Sequence, residues 1–294
     1  MRKTSLIFSI VALFVFLMFW GGVYYLTRFF PNTQERLQRK VFHSAVVLNR
    51  DRYGVPVIES DSRIEMVKAQ GLATARDRFF QMELIRRKMA GRLSELFGEK
   101  ALETDEWHRR LGFELVAQKS VSLMDSTTRE VWESYAQGVN DYLSHETLPW
   151  EISLLGYAPE SWKPEDSLLV VLSLFDALND PKNSEELAYN ELNRVFPKKL
   201  VNFLTWDYGF FDAPLRIPKG FSLEAKIPTP VEWNVRSQSF RSKDILLPEK
   251  NVNGSNAWVV AGNKTVTGKP LLAGDPHLNL SVPNIWYRSE LKTK

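Results

Sequence analysis

The stretch RDRYGVPVIESDSRIEMVKAQGLATARDRFFQMELIRRKMAGRLSELFG, residues 50–98, changes pattern part-way along. Its first part belongs with AVVLN just upstream, so that residues 45–60 read as two short β-rich runs flanking a turn at Tyr53-Gly54. Pro56 has no N–H to give to a ladder, which predicts an edge or irregular place for the second run. Ser62-Arg63-Ile64-Glu65 then has the S-x-x-E spacing of a capping box, in which both side chains reach back to unpaired amides at a helix start. A long helix is predicted from there to about Phe97. Gly71 is a candidate interruption, and Gly91 and Gly98 are candidate stops because glycine turns left-handed at helix ends without a Cβ penalty.

Downstream, Thr127-x-x-Glu130 repeats the capping spacing. Val131, Trp132, Tyr135, Val139, Tyr142 and Leu143 recur at helical period and predict a core-facing stripe. Residues 168–178 and 185–195 read as two more helices around the breaker Asp180-Pro181. Trp132 and Phe175, aromatic at helical spacing, are expected in the core. From Asp212 to Gly254 five prolines are scattered through a segment without sustained period, which reads as a linker. Residues 255–294 return to β character, with SNAWVVAG, the turn-rich NKTVTGK, PLLAG and NIWYRSELK in succession. No internal repeat is present.

The 294 residues are 44% hydrophobic and 25% charged, the proportions of a folded protein. A net charge of +3, evenly spread, is not the footprint of a nucleic-acid binder. The absence of cysteine excludes disulfide scaffolds, thiol catalysis and zinc-thiolate sites. With only four histidines, a multi-histidine metal centre is not expected. Oxygen or amine chemistry remains.

Residues 4–27 carry no charge and would span about 36 Å as a helix at roughly 1.5 Å per residue, more than the ~30 Å hydrocarbon core of a bilayer. This predicts a single-pass anchor within residues 1–30, uncleaved because no small-residue cleavage site follows. Trp20, Tyr24 and Tyr25 suit a membrane interface. The body is expected outside the cytoplasm, in the periplasm or at the cell exterior, although Arg28, Arg36, Arg39 and Lys40 after the span leave the charge rule ambiguous.

Residue type alone does not locate a site. Gly254-Ser255-Asn256 reads as a turn before a strand, no G-x-S-x-G elbow is present, and no pair of carboxylates stands out. A resemblance goes further. The R-D-x-x-G-V-P-x-I run at residues 50–58, the A-x-D-R-x-F-Q-M-E-x-x-R-R helix and the G-R-L-x-E-x-x-G ending resemble the first subunit of the penicillin acylase family. GSNAWVVAGNKTVTGKPLLAGDPHLNLSVPNIWY, residues 254–287, resembles the start of its catalytic subunit. Trp162-x-Pro164-x-Asp166 lies in the less similar middle.

The resemblance implies an α+β fold of the N-terminal-nucleophile hydrolase type, an αββα sandwich incomplete here. Residues 41–211 would form the helix-rich first subunit, 212–254 the linker and 255–294 the start of the catalytic β-sheet region. It implies a precursor that cuts itself between Gly254 and Ser255, so that Ser255 becomes a chain start whose own α-amino group, with an ordinary pKa of about 7.7–8.0, serves as base. Ser255 would then attack a linear N-acyl amide. His277, twenty-third counting from Ser255, would help to orient the site, and Asn256 would position it. No organic cofactor is implied. A structural calcium is, with Glu186 the best-matching ligand, Glu185 its competitor and most ligands beyond this sequence. Acyl-pocket residues would come partly from residues 168–178 and the vicinity of Leu278.

The family's catalytic subunit runs to several hundred residues, against forty after Gly254 here. The remainder of that subunit is therefore an expected partner, along with the small amide substrate. The competing expectation is a catalytically inert relic or binding scaffold. Which acyl group or amine is recognised rests on pocket shape that the sequence does not define.

Overall fold

The computed structural model describes residues 2–27, 34–37, 40–179, 184–205, 226–229, 231, 254–278 and 280–293. The chain divides into two compact units. One comprises Met1–Phe175 with Asn279–Lys294, the other Asp176–Leu278. Nearly all of the linker expected at 212–254 lies outside the described residues.

The first unit begins with helix α1 (Arg2–Thr27), followed by strands β1 (Gln34–Leu37), β2 (Val46–Arg50) and β3 (Pro56–Glu59). The expectation of a membrane anchor is corrected here: among the described residues no helix is long and apolar enough to cross a membrane. The extracytoplasmic placement that rested on that anchor falls with it.

Long helix α2 (Arg63–Ala90) is followed by the short α3 (Ser94–Phe97), then α4 (Leu102–Leu111), α5 (Phe113–Ser122), α6 (Ser126–His145), α7 (Trp150–Leu155) and α8 (Pro164–Leu178). The second unit holds α9 (Ser184–Val195), α10 (Lys198–Leu204) and a hairpin of β4 (Gly254–Val260) and β5 (Leu271–His277); β6 (Glu290–Lys292) returns to the first unit.

Among the described residues the first unit's sheet has the order β1-β2-β3-β6. β1 pairs with β2 and β2 with β3 antiparallel, whereas β6 lies parallel to β3 with Val57 opposite Glu290. Pro56 is thus not on an edge strand. It is the first residue of β3, opposite Arg50, where the missing N–H is tolerated because pairing to β6 begins only at Val57.

Ser62 caps α2 as expected, its Oγ accepting from the Glu65 amide at 3.3 Å. The reciprocal half of the capping box is replaced. Glu65 turns instead to the buried Lys68 ammonium, 3.0 Å away, which also donates to the Val41 carbonyl at 2.6 Å. Helix α6 is capped two residues earlier than its Thr-x-x-Glu spacing predicts, with Asp125 Oδ1 accepting from the Thr128 amide at 2.9 Å. An aspartate accepts that bond while also meeting the positive end of the helix dipole.

Gly71 does not interrupt α2; it lets α6 approach. A Cβ at Gly71 would stand 2.2 Å from the Tyr135 carbonyl oxygen, and one at Gly138 would stand 1.8 Å from that of Lys68. The two helices therefore cross backbone to backbone, burying Ala69, Leu72, Ala73, Ala136, Val139 and Tyr142 with Ile58 of the sheet. Gly91 ends α2 at φ 68°, the left-handed stop its position predicts. Much of the charged part of this helix forms an ion network. Glu83, fully buried, accepts from Arg86 Nε and Arg87 Nε at 2.6 Å each. Arg86 reaches Asp166 at 3.1 Å, and Arg87 reaches Glu95 at 2.5 Å.

Candidate active site

The β4-β5 hairpin gives the predicted site residues their geometry. Their strands pair antiparallel over seven positions, with Gly254 opposite His277, Ser255 opposite Pro276 and Asn256 opposite Asp275. The connecting turn is tightly built. Gly262 lies where a Cβ would be 2.4 Å from the Gly268 carbonyl oxygen, and Gly268 has φ +69°. Thr265 Oγ1 sits 2.7 Å from the Lys269 carbonyl oxygen, which closes the loop. This fixes the register, and register decides which side chains can meet, since a slip of one residue would turn every side chain to the other face.

Residues directly opposite share a face, and alternate residues along a strand do too. Asn256, Asp275 and His277 therefore fall on one face of the hairpin, and Ser255 on the other. On their shared face, His277 Nε2 lies 2.8 Å from Asp275 Oδ2 and 3.3 Å from Asn256 Nδ2. A carboxylate oxygen only accepts, so Nε2 carries a hydrogen and the ring is either the Nε2–H tautomer or the cation. The Asn256 amide then presents its oxygen, since two donors cannot pair. Ser255 and Asn256 are exposed on β4, and the His277 side chain is about half exposed at 49%. What the hairpin brings together is the Gly254-Ser255 peptide and the His277 main chain, across the ladder from one another.

Asp275 was not singled out by sequence reasoning. An aspartate before a proline reads as a turn residue; the signal that could have found it is its i, i+2 spacing to His277 on a strand.

Glu186 is exposed on α9, and among the described residues no group of three or more acidic or histidine side chains is placed to hold a metal ion. The described residues therefore do not by themselves form a calcium site.

In the first unit a cavity of about 420 Å³ opens between α2, α6, α8 and residues 284–287. Val131, Trp132 and Tyr135, expected simply as core, line it together with Val170 and Val171 of α8. Phe175 is more than half exposed at 57%, its ring edge-on to Phe113 at 6.5 Å, and is not a core residue. Leu278 falls in the second unit.

The segment after β5 folds onto α2. The Tyr287 hydroxyl donates to Asp77 Oδ2 at 2.8 Å, Arg78 donates to the Asn284 carbonyl at 2.7 Å, and Gln70 donates to Ser289 Oγ at 3.0 Å. Asp77 also receives both Nη atoms of Arg50, at 2.8 and 2.7 Å. Burial, followed by the Asp77 charge, pushes the Tyr287 hydroxyl above the ordinary tyrosine range. The Arg50, Asp77 and Tyr287 side chains thus join the two sequence blocks that carry the resemblance.

Residues 45–294 match the penicillin amidase family, and the chain belongs to it. It is 33% identical over 258 residues to the penicillin acylase 2 proenzyme of a Pseudomonas species, a match covering 84% of this chain and 32% of that protein. It is 32% identical over 248 residues to the acyl-homoserine lactone acylase QuiP of Pseudomonas fluorescens, covering 82% and 30% respectively. The chain spans about a third of the length of these curated relatives. A thermostable penicillin G acylase of Alcaligenes faecalis is 25% identical, with a TM-score of 0.49, covering 64% of this chain and 98% of that one.

Proposed function

We propose that this chain is the leading part of an autoprocessed amidohydrolase that cuts itself before Ser255 and then hydrolyses a linear N-acyl amide. The observation that carries the reading is the placement of Gly254-Ser255 at the first two positions of β4, held by a seven-residue ladder that sets His277 opposite Gly254, in a member of the penicillin amidase family. One relative is named a proenzyme, in keeping with a processed precursor.

In the cutting step Ser255 Oγ attacks the Gly254 carbonyl carbon and the Gly254–Ser255 C–N bond breaks, leaving Gly254 esterified to Ser255 and a free α-amino group on Ser255. Water then hydrolyses the ester, releasing the Gly254 carboxylate and restoring the hydroxyl. Glycine leaves the carbonyl open to approach because it has no side chain. The new amine, with an ordinary pKa of about 7.7–8.0, is close enough to neutrality to take the serine proton in the next reaction. There Ser255 Oγ attacks the substrate carbonyl, the amine leaves with a proton, and water releases the acid from the acyl-enzyme.

In this reading the remainder of the catalytic subunit completes a four-layer αββα sandwich around the hairpin. It also supplies the oxyanion donors and the companions of Glu186 about a structural calcium. The relatives are named for penicillin and for acyl-homoserine lactones, so both are substrates to assay. The test is hydrolysis of a panel of N-acyl amides by the full-length protein and its Ser255→Ala variant. Activity in the first that is absent from the second supports the reading; activity unaffected by the substitution refutes it.

A further inference from the structure

We propose that Asp275 is a positioning residue for the chemistry at Gly254-Ser255, acting through His277; this rests on the self-cleavage reading above. The geometry has three parts. Asn256 and Asp275 are directly opposite one another, and Gly254 and His277 are the next same-face pair, at the open end of the hairpin where the cut would fall. The Asp275 carboxylate holds His277 Nε2 at 2.8 Å, which places the hydrogen on Nε2 and fixes the ring. Asn256, the residue after the nucleophile, touches the same nitrogen at 3.3 Å.

Two ladder pairs, Ser255 with Pro276 and Gly254 with His277, lie beyond Asn256 and Asp275 at this open end. One side-chain contact, Asn256 with His277, crosses between the strands there, and Asp275, on β5 with His277, fixes the ring that makes it. Asp275 is the negative member, so its bond to an imidazole N–H is charge-assisted and stronger than an amide contact could be. The consequence is that the His277 main chain stays opposite the Gly254 carbonyl. Losing the carboxylate frees the ring to take either tautomer and so loosens its contact with Asn256 across the strands.

The experiment follows self-cleavage of the full-length protein over time by gel and mass spectrometry, for wild type, Asp275→Asn, Asp275→Glu and Ser255→Ala. Nitrogen-15 NMR of histidine-labelled Ser255→Ala protein, which stays uncut, reads the His277 tautomer with and without Asp275→Asn. The proposal expects Asp275→Asn to slow the cut about tenfold, the worth of one hydrogen bond to a charged group, and Asp275→Glu to recover most of the rate. It also expects the His277 signal to leave the Nε2–H position in the asparagine variant. A wild-type rate in Asp275→Asn, or equal slowing in both variants with the His277 signal unmoved, overturns it. Should the asparagine variant fail to accumulate, Asp275→Glu decides alone: cutting within about threefold of wild type supports a carboxylate role, and a loss of about tenfold or more overturns it. Cleavage that persists in Ser255→Ala would instead overturn the underlying reading.

Discussion

The Asp77 carboxylate accepts the Tyr287 hydroxyl at 2.8 Å across 210 positions of sequence. The same carboxylate takes both Nη atoms of Arg50, so one side chain ties the early strands to the segment after the hairpin. The Arg50 side chain is only 10% exposed, and removing Asp77 leaves a largely buried guanidinium without that counter-charge, its Nη1 still donating to the Gly54 carbonyl at 2.9 Å. Asp77→Ala is therefore expected to cost about 3 kcal/mol, against about 1 kcal/mol for Tyr287→Phe, which leaves the ion pair intact. Urea unfolding of the two variants checks the order; equal losses would show that Arg50 is not the partner that matters.

The backbone crossing of α2 and α6 makes a second expectation. Gly138→Ala puts a methyl group 1.8 Å from the Lys68 carbonyl oxygen, and Gly71→Ala puts one 2.2 Å from that of Tyr135. Backbone cannot step aside as a side chain tip can, so each change should cost about 3 kcal/mol or more. Gly274→Ala, with nothing within 4 Å, should be near neutral. Thermal unfolding of the three variants distinguishes them.

Glu83 carries two arginines and no solvent contact. Glu83→Ala removes the buried carboxylate that Arg86 and Arg87 share, leaving Arg86 only Asp166 and Arg87 only Glu95 as counter-charges, and is expected to cost about 3 kcal/mol. Glu83→Leu with Arg87→Met should recover part of it, because two charges leave together. A denaturation cycle on the single and double variants measures that coupling.

Asp105 supplies a pH dependence. Its carboxylate is buried, which works against its charge, yet it accepts from the Ser94 hydroxyl and from the amides of Ser94 and Leu93, which hold it below the ordinary aspartate range. A depressed folded pKa means that its contribution is complete above the unfolded value of about 3.9 and is lost as pH falls through the folded one. Asp105→Asn should therefore destabilise by about 1–3 kcal/mol at neutral pH, with the difference shrinking under acid. Unfolding of both proteins from pH 7 to pH 2 reads this directly; a constant difference would contradict it.

Local chemistry made much of this fold legible. The Ser62 cap, the left-handed stop at Gly91 and the turn between β4 and β5 follow from side chains within a few residues of each other. What was not legible depends on distant partners. Pro56 suggested an edge because nothing near it announces that Glu290–Lys292 will pair with β3. Gly71 suggested a break because a helical glycine looks alike whether it bends the chain or admits a neighbour. Trp132 has core spacing and yet faces a cavity, which only the placement of α8 and residues 284–287 decides. The run in residues 4–27 suggested an anchor through its length, its lack of charge and its aromatic end. At the site, Ser255, Asn256 and His277 came from a resemblance rather than from residue type, and Asp275 needed the strand register.

The most direct test of the central claim is intact-mass and N-terminal sequencing analysis of the full-length protein purified from its native source. The account predicts two chains, the second beginning Ser255-Asn256-Ala257-Trp258 and the first ending at Gly254. A single chain running uncut through Gly254-Ser255 would contradict it, because the nucleophile would then never gain its amino group.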